Sequence, residues 1–223
     1  SLGSSGDLGY FVETPFHWSL DPSYDLTLAP MFTTKVNPVL KAEWRQRTEN
    51  GSYFLSGSYT YDDAYDDLGN LTGGDSSYGH VFGRGRFRVG ETMGWGFDVE
   101  RTSSDTYLKR YEISDADRLT SDLFWEWRSG RSYASVTAYA FQGLRASDDP
   151  GRTPFVLPEA MLHYVFDEPV YGGLVAVDAS ILSLTRTEGL DTERGSLGLS
   201  WNRPEILPGG QAVSFPIDGF AKH

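Results

Sequence analysis

The stretch His80-Val81-Phe82-Gly83-Arg84-Gly85-Arg86-Phe87-Arg88-Val89, followed after a short turn by Met93-Gly94-Trp95-Gly96-Phe97-Asp98-Val99-Glu100, decides the fold class. Every second residue sorts to one of two faces. Val81, Gly83, Gly85, Phe87 and Val89 make one, against His80, Phe82, Arg84, Arg86 and Arg88; Met93, Trp95, Phe97 and Val99 then oppose Gly94, Gly96, Asp98 and Glu100. Successive side chains of a β-strand point to opposite faces, so a sustained period of two predicts two strands. The tight link between them makes the pair an antiparallel hairpin.

The same alternation extends in both directions. Leu26, Leu28, Pro30 and Phe32 share a face, as do Tyr53, Leu55, Gly57, Tyr59 and Tyr61, and Leu123, Trp125 and Trp127 oppose Asp122, Phe124, Glu126 and Arg128. Further candidate strands cover 9–19, 38–47, 132–143, 155–166, 173–186 and 195–202. The reading is all-β: an antiparallel up-and-down meander of about eleven or twelve strands joined by Gly, Asp, Asn and Ser turns. Long connections are expected at 62–77, 102–118, 144–153 and 187–194, short ones at 48–51, 89–92 and 129–131. The long ones fall after every second strand and so share one end of the sheet. Aromatics gather near strand ends at Tyr59/Tyr61, Trp125/Trp127 and Tyr164/Phe166, as in the interfacial girdles of a membrane barrel.

Composition narrows the class further. The 223 residues carry 31 acidic and 19 basic side chains, a formal charge of −12. Phosphate neutralisation needs a basic face, so the balance argues against nucleic-acid binding. Cysteine is absent, which excludes a disulfide-stapled scaffold and a Cys-ligated metal site. Aromatics at 14 % are too many for a solvated coil. No apolar run is long enough for a membrane helix, yet a barrel strand needs only about ten residues with every second one apolar. Composition leaves two architectures standing, part of a transmembrane β-barrel and a soluble sugar-binding β-protein. The opening Ser1-Leu2-Gly3 has neither an initiator Met nor a signal peptide, as expected of a processed product or a fragment.

Two stretches carry a family resemblance. Gly9-Tyr10-Phe11-Val12-Glu13-Thr14-Pro15-Phe16-His17-Trp18 and then Ser23-Tyr24-Asp25-Leu26-Thr27-Leu28-Ala29-Pro30 resemble the opening of the barrel domain of LptD. This is the lipopolysaccharide-assembly (organic-solvent-tolerance) family of the Gram-negative outer membrane. Tyr59-Thr60-Tyr61-Asp62, Ser104-Asp105-Thr106-Tyr107 through Tyr111, Phe141-Gln142 and Leu157-Pro158-Glu159 resemble later family motifs in the family's order. The resemblance covers roughly 9–203, with Lys35-Val36-Asn37 where the family has an Arg-Gly turn. Beyond about 204 no motif matches, and Phe220-Ala221-Lys222-His223 does not read as a usual terminal strand.

The resemblance implies a very large barrel of roughly two dozen strands preceded by a periplasmic jelly roll. Residues 1–223 are then expected to be the N-terminal portion of the barrel domain, a partial transmembrane β-barrel without the jelly roll or the closing strands. The implied function is transport of lipopolysaccharide and its insertion into the outer leaflet, without catalysis or cofactor. The implied partners are lipopolysaccharide, an LptE-type plug lipoprotein, and the periplasmic lipopolysaccharide bridge docking on the missing N-terminal domain. Another outer-membrane barrel, porin or autotransporter, is the alternative within the membrane class. A first strand rising from the periplasm, as in the family, puts the long connections on the periplasmic side; the usual length rule for such barrels puts them outside.

Candidate sites follow from residue chemistry. Pro15 and Pro30 lie on the first two strands, where a residue without an N–H weakens pairing. By resemblance they mark a lateral gate, and otherwise they are ordinary edge prolines. Arg84, Arg86 and Arg88 share a face with Asp98 and Glu100 on the expected neighbour; Asp122, Glu126 and Arg128 form a second stripe, and Lys41, Glu43, Arg45 and Arg47 a third. In a barrel these stripes line the lumen, either as a purely structural network or as a path for sugars and phosphates. Asp62, Asp63, Asp66 and Asp67 form an acidic loop, a weak calcium candidate whose spacing matches no EF-hand. Gly74-Asp75-Ser76-Ser77 near His80 gives only a faint hydrolase signal.

Overall fold

The computed structural model describes residues 1–66, 70–148, 153, 155–188, 190–206 and 212–222, and is almost entirely β. The strands are β1 (Leu2–Ser5), β2 (Gly9–Glu13), β3 (Phe16–Asp21), β4 (Tyr24–Thr33), β5 (Val39–Thr48), β6 (Gly51–Tyr65) and β7 (Leu71–Val89). They continue as β8 (Met93–Thr102), β9 (Arg118–Ser129), β10 (Ser132–Gly143), β11 (Phe155–Val165), β12 (Leu174–Thr185), β13 (Thr192–Ile206) and β14 (Ala212–Lys222). One single-turn helix, α1 (Tyr107–Arg110), interrupts them. The strands follow one another in an up-and-down sheet of order β1-β2-β4-β5-β6-β7-β8-β9-β10-β11-β12-β13-β14, with β3 paired to β4. The chain forms two compact units, 1–87 with 96–123 and 140–153, and 88–95 with 124–139 and 154–223.

Register in the first unit turns the sequence alternation into two chemically distinct faces. Asp25 pairs with Arg45, Thr27 with Glu43 and Ala29 with Lys41. Lys41, Glu43 and Arg45 in turn oppose Ser58, Ser56 and Phe54, which oppose His80, Phe82 and Arg84. That face is polar. On the other face Leu28, Pro30, Leu40, Leu55, Tyr59 and Val81 follow one another, and Leu40, Leu55, Tyr59 and Val81 are all exposed, between 39 and 57 %. A soluble sandwich buries its apolar face; here the apolar face is the bare one, as a lipid-facing sheet requires. Trp95 and Trp125 remain 37 and 38 % exposed, so neither sits in the aliphatic core expected of a soluble β-protein.

Glycine and aromatic residues cooperate on that bare face. A Cβ on Gly85 would sit 2.6 Å from the Phe97 ring, so the missing side chain lets the ring lie across β7. Tyr24 stacks on Trp44 at 5.4 Å, and the Trp44 indole N–H reaches Tyr53 Oη at 3.3 Å. Tyr53 to Tyr61 spans about the nine to eleven residues that a tilted transmembrane strand needs.

The second unit repeats the pattern. Tyr164 pairs with Val177, and Leu162 with Ala179; Val177 and Ala179 oppose Leu199 and Leu197. Leu162, Tyr164, Leu197, Leu199 and Ile217 are exposed. Trp127 stacks on Tyr164, which meets Phe166 edge-on at 5.1 Å. The reverse face carries His163 beside Asp178, at 2.7 Å.

Several details depart from the sequence reading. There are fourteen strands because 9–19 breaks at Thr14-Pro15 and because β1 and β14 add a strand at each end. The segment expected as a loop over 62–77 is mostly ladder, with Asp62 opposite Ser76 and Asp63 opposite Asp75. Its polar residues lack strand propensity, but pairing begun by Tyr53–Tyr61 carries them. The linker at 166–173, not expected to be long, closes on itself through a Val170–Gly173 bridge, so the end with short turns also carries a longer connection.

Candidate functional site

The polar face of the first unit ends differently at its two extremes. At the end formed by the connections after β4 and β8, the chain between β8 and β9 folds back onto the sheet. Tyr107, Leu108 and Tyr111 are at most 2 % exposed and pack with Leu8, Met31, Val39 and Tyr78 into the core of this unit. Tyr107, Leu108 and Tyr111 fall on one side of a helical turn, which presents them together. Ser58 Oγ lies 2.6 Å from both His80 Nδ1 and Tyr107 Oη. The Tyr111 hydroxyl donates to Asp62 Oδ2 at 2.6 Å. Burial, reinforced by the Asp62 carboxylate, pushes the Tyr111 hydroxyl well above the ordinary tyrosine range. Outside the buried layer, Asp117 bridges Lys109 at 2.6 Å and Arg145 at 2.9 Å, and these two cations hold its carboxyl down at about 2.

This arrangement relocates two expected sites. Asp62 is buried under Tyr111 as a structural acceptor, Asp63 is exposed on β6, and Asp66 accepts from the Asn70 backbone at 2.7 Å. Asp67 lies outside the described residues. No cluster of three or more metal-ligating side chains occurs among the described residues. His80 turns to Ser58, away from the Gly74–Ser77 stretch, and the Ser58–His80 pair is closed over by Tyr107. The inward role of 103–117 was missed from sequence. Its signal was the spacing of Tyr107, Leu108 and Tyr111.

At the opposite end the polar face is open. A pocket of about 520 Å³ is lined by Arg45, Arg47, Arg84 and Arg86, together with Phe54 and β3 residues Ser19 and Asp21. Arg45 pairs with Glu43, and Arg86 with Asp98. The guanidinium groups of Arg45 and Arg84 lie 5.9 and 5.7 Å from the centre of the Phe54 ring. Glu13 and Lys41 pair at 2.6 Å between the two ends.

The expected stripe is thus partly assembled. Arg84, Arg86, Asp98, Glu100 and Asp122 belong to the first unit, and Arg88, Glu126 and Arg128 to the second. Glu100 Oε2 accepts from the Thr120 N–H at 3.2 Å. Arg128 pairs with Glu126 at 2.9 Å and lies over Tyr133 at 5.3 Å. Arg88 is exposed and Asp122 half-buried.

Pro15 and Pro30 meet at one level of the sheet. Glu13 pairs with Met31 and Phe16 with Leu28, so Thr14 and Pro15 face Pro30 and Ala29. The Thr14 N–H donates to the Pro30 carbonyl at 3.1 Å. In an antiparallel ladder such a pair exchanges two bonds, and Pro30 cannot return the second. Its neighbour β5 loses nothing, because the Pro30 nitrogen faces β2–β3. By the same alternation the Pro15 nitrogen faces away from β4, toward the edge of β3 that has no partner among the described residues. All six residues of β3 are exposed.

A family profile described as LptD, LPS transport system D, matches residues 76–216. The chain belongs to the LptD family. The match runs into the first half of β14, past the limit near 203 set by the motifs. The chain is 30 % identical to the LPS-assembly protein LptD of Pseudoalteromonas atlantica over 172 residues, 75 % of this chain and 22 % of that protein. It is 28 % identical to the LptD of Bordetella pertussis over 227 aligned positions, 97 % of this chain and 26 % of the relative. A shorter match to the LptD of Photobacterium profundum reaches 40 % identity over 55 residues. The chain therefore spans about a quarter of the length of the curated relatives it matches most broadly.

Proposed function

We propose that this chain is the N-terminal portion of an outer-membrane barrel domain that passes lipopolysaccharide along its polar face and releases it into the outer leaflet. The observation that carries the reading is the proline level of β2–β4. Hydrocarbon tolerates no open sheet edge, so the bare edge of β3 pairs with a closing strand elsewhere in the full protein. Pro15 removes a donor from that seam and Pro30 removes one from the pairing behind it. The first strands are thereby the weakest part of the ladder, a lateral gate through which acyl chains move sideways. The polar face, including Arg84, Arg86, Arg88, Asp98, Glu100, Asp122, Glu126 and Arg128, keeps the saccharide hydrated and offers guanidinium partners to its phosphates.

The remaining parts of this reading come with the family. The partners are lipopolysaccharide, a plug lipoprotein of the LptE type in the lumen, and a periplasmic bridge docked on a jelly-roll domain preceding this segment. The protein resides in the outer membrane of a Gram-negative bacterium and makes or breaks no covalent bond. The test is photo-crosslinking in the full-length protein, with a benzophenone side chain placed at Thr14 or Phe16. Lipopolysaccharide adducts are expected there during transport. Adducts confined to other parts of the barrel would contradict the gate.

A further inference from the structure

We infer that the open end of the polar face is a binding subsite for a phosphorylated saccharide, formed by Arg45, Arg47, Arg84 and Arg86 around Phe54. The inference rests on the transport reading above and deepens it by naming where, and by which chemical group, the cargo is held. The chain as a whole carries a charge of −12, yet this pocket's lining holds four arginines against two carboxylates, Asp21 and Asp25. Two of the four are engaged, Arg45 by Glu43 and Arg86 by Asp98. Arg47 and Arg84 have no ion pair among the described residues. Asp21 is already committed to its own turn, accepting from the Ser23 N–H at 2.9 Å and the Ser23 hydroxyl at 2.6 Å. Asp25 stands opposite Arg45 in the ladder, its Oδ1 buried without a hydrogen-bond partner and 4.0 Å from His17 Nδ1.

Register explains why four guanidiniums converge. Arg45 and Phe54 are cross-strand partners, Phe54 and Arg84 are the next pair, and Arg47 with Ser52 and Arg86 repeat the row two residues on. Phe54 and Ser52 stand between the arginines of each row, and Asp25 opposes Arg45 on the outer side, so the row carries an excess of positive charge that Asp25 only partly offsets. The Phe54 ring, with a guanidinium near it from either neighbouring strand, restrains Arg45 and Arg84 in place. Planar guanidinium forks match phosphate bidentately. A pocket of about 520 Å³ lies within the roughly 300–1,000 Å³ of small-molecule sites and exceeds what a bare phosphate fills. Ser19 and Ser52 in the lining supply hydrogen-bond partners for sugar hydroxyls. Ser19 and Asp21 belong to β3, so the subsite adjoins the proposed seam.

The test uses the full-length protein in lipid nanodiscs, with a benzophenone side chain at Ser52 and, separately, at Thr14. Lipopolysaccharide with a phosphorylated core is compared with the same material after chemical dephosphorylation. Crosslinking at Ser52 should fall about tenfold on dephosphorylation and by a similar factor in the Arg47→Gln/Arg84→Gln variant, with Thr14 adducts retained. Glucosamine-6-phosphate should compete at Ser52 more strongly than glucosamine or inorganic phosphate. Ser52 adducts indifferent to phosphate and to both arginines, with Thr14 adducts present, would overturn the subsite and leave the transport reading standing. Equal competition by phosphatidylglycerol would assign the arginines to a lipid headgroup and overturn the saccharide assignment. If adducts vanish at both positions while glucosamine-6-phosphate still protects wild type but not the variant from arginine modification, the transport reading fails and the anion site survives.

Discussion

The two ends of the first unit's polar face share strands β4–β7 and one alternation, yet one is sealed and the other open. At the sealed end Tyr107, Leu108 and Tyr111 are at most 2 % exposed over Ser58, Thr60 and Asp62. At the open end Arg45, Arg47, Arg84 and Arg86 are all exposed around an empty concavity. What differs is the connection. The sealed end has the long β8–β9 segment to fold inward, whereas the open end has the short turns after β3 and β5. A polar strand face does not by itself dictate a wet lumen. The sequence between strands decides which part of it is filled by protein and which is left open.

The comparison breaks most forcibly at Tyr107. Removing its ring by Tyr107→Ala should cost about 3–5 kcal/mol, read as a lower midpoint for loss of the folded barrel by heat-modifiable gel mobility. The arginine variant at the open end should leave that midpoint unchanged. A smaller effect is expected at Asp62→Ala, which strands the Tyr111 hydroxyl without its acceptor at a cost of about 1–3 kcal/mol. Protease accessibility of 103–117 in the folded full-length protein should rise in that variant.

Replacing Pro30 at the proposed gate tests the third region. Pro30→Ala restores a donor to Thr14 and should strengthen the β2–β4 pairing by about 0.5–1.5 kcal/mol. Slower lipid release with intact folding is the expected outcome, measured as lipopolysaccharide reaching the cell surface per unit time.

The smallest effects come from pH. The Tyr111 hydroxyl is raised in the folded state, so its contribution is full below the ordinary tyrosine value near 10 and is lost as pH rises above it. Asp117 is lowered to about 2, so its tether to Lys109 and Arg145 holds above the ordinary aspartate value of 3.8 and is lost as pH falls from there through about 2. The protection factors of the 103–117 amides, that is, exchange relative to the intrinsic rate at each pH, should therefore stay flat from neutrality up to the ordinary tyrosine value. Loss of protection within that window would show that the segment is held by something other than these groups.

Most of the sheet was legible because alternation is a local signal. Leu26-Leu28-Phe32, Tyr53-Leu55-Tyr59 and Trp95-Phe97 each announce a face, and the ladder registers keep those faces continuous. What escaped depended on distant partners. Residues 71–77, with Gly73, Gly74 and Asp75, become strand only because β6 templates them. The burial of Asp62 depends on Tyr111, far along the chain, and nothing near Asp62 in sequence signals it. The stripe Arg84–Arg88 could be seen as a row. Its convergence with Arg45 and Arg47 required the register of β5 against β6 and of β6 against β7.

The central claim is that one face of this sheet meets lipid and the other meets saccharide. It is tested most directly by photo-crosslinking at successive positions of β6, from Ser52 to Gly57, in the full-length protein in its membrane. Adducts to phospholipid at Tyr53, Leu55 and Gly57, alternating with adducts to lipopolysaccharide at Ser52, Phe54 and Ser56, are the predicted result. Adducts with no period of two, or with the two faces exchanged, would contradict it.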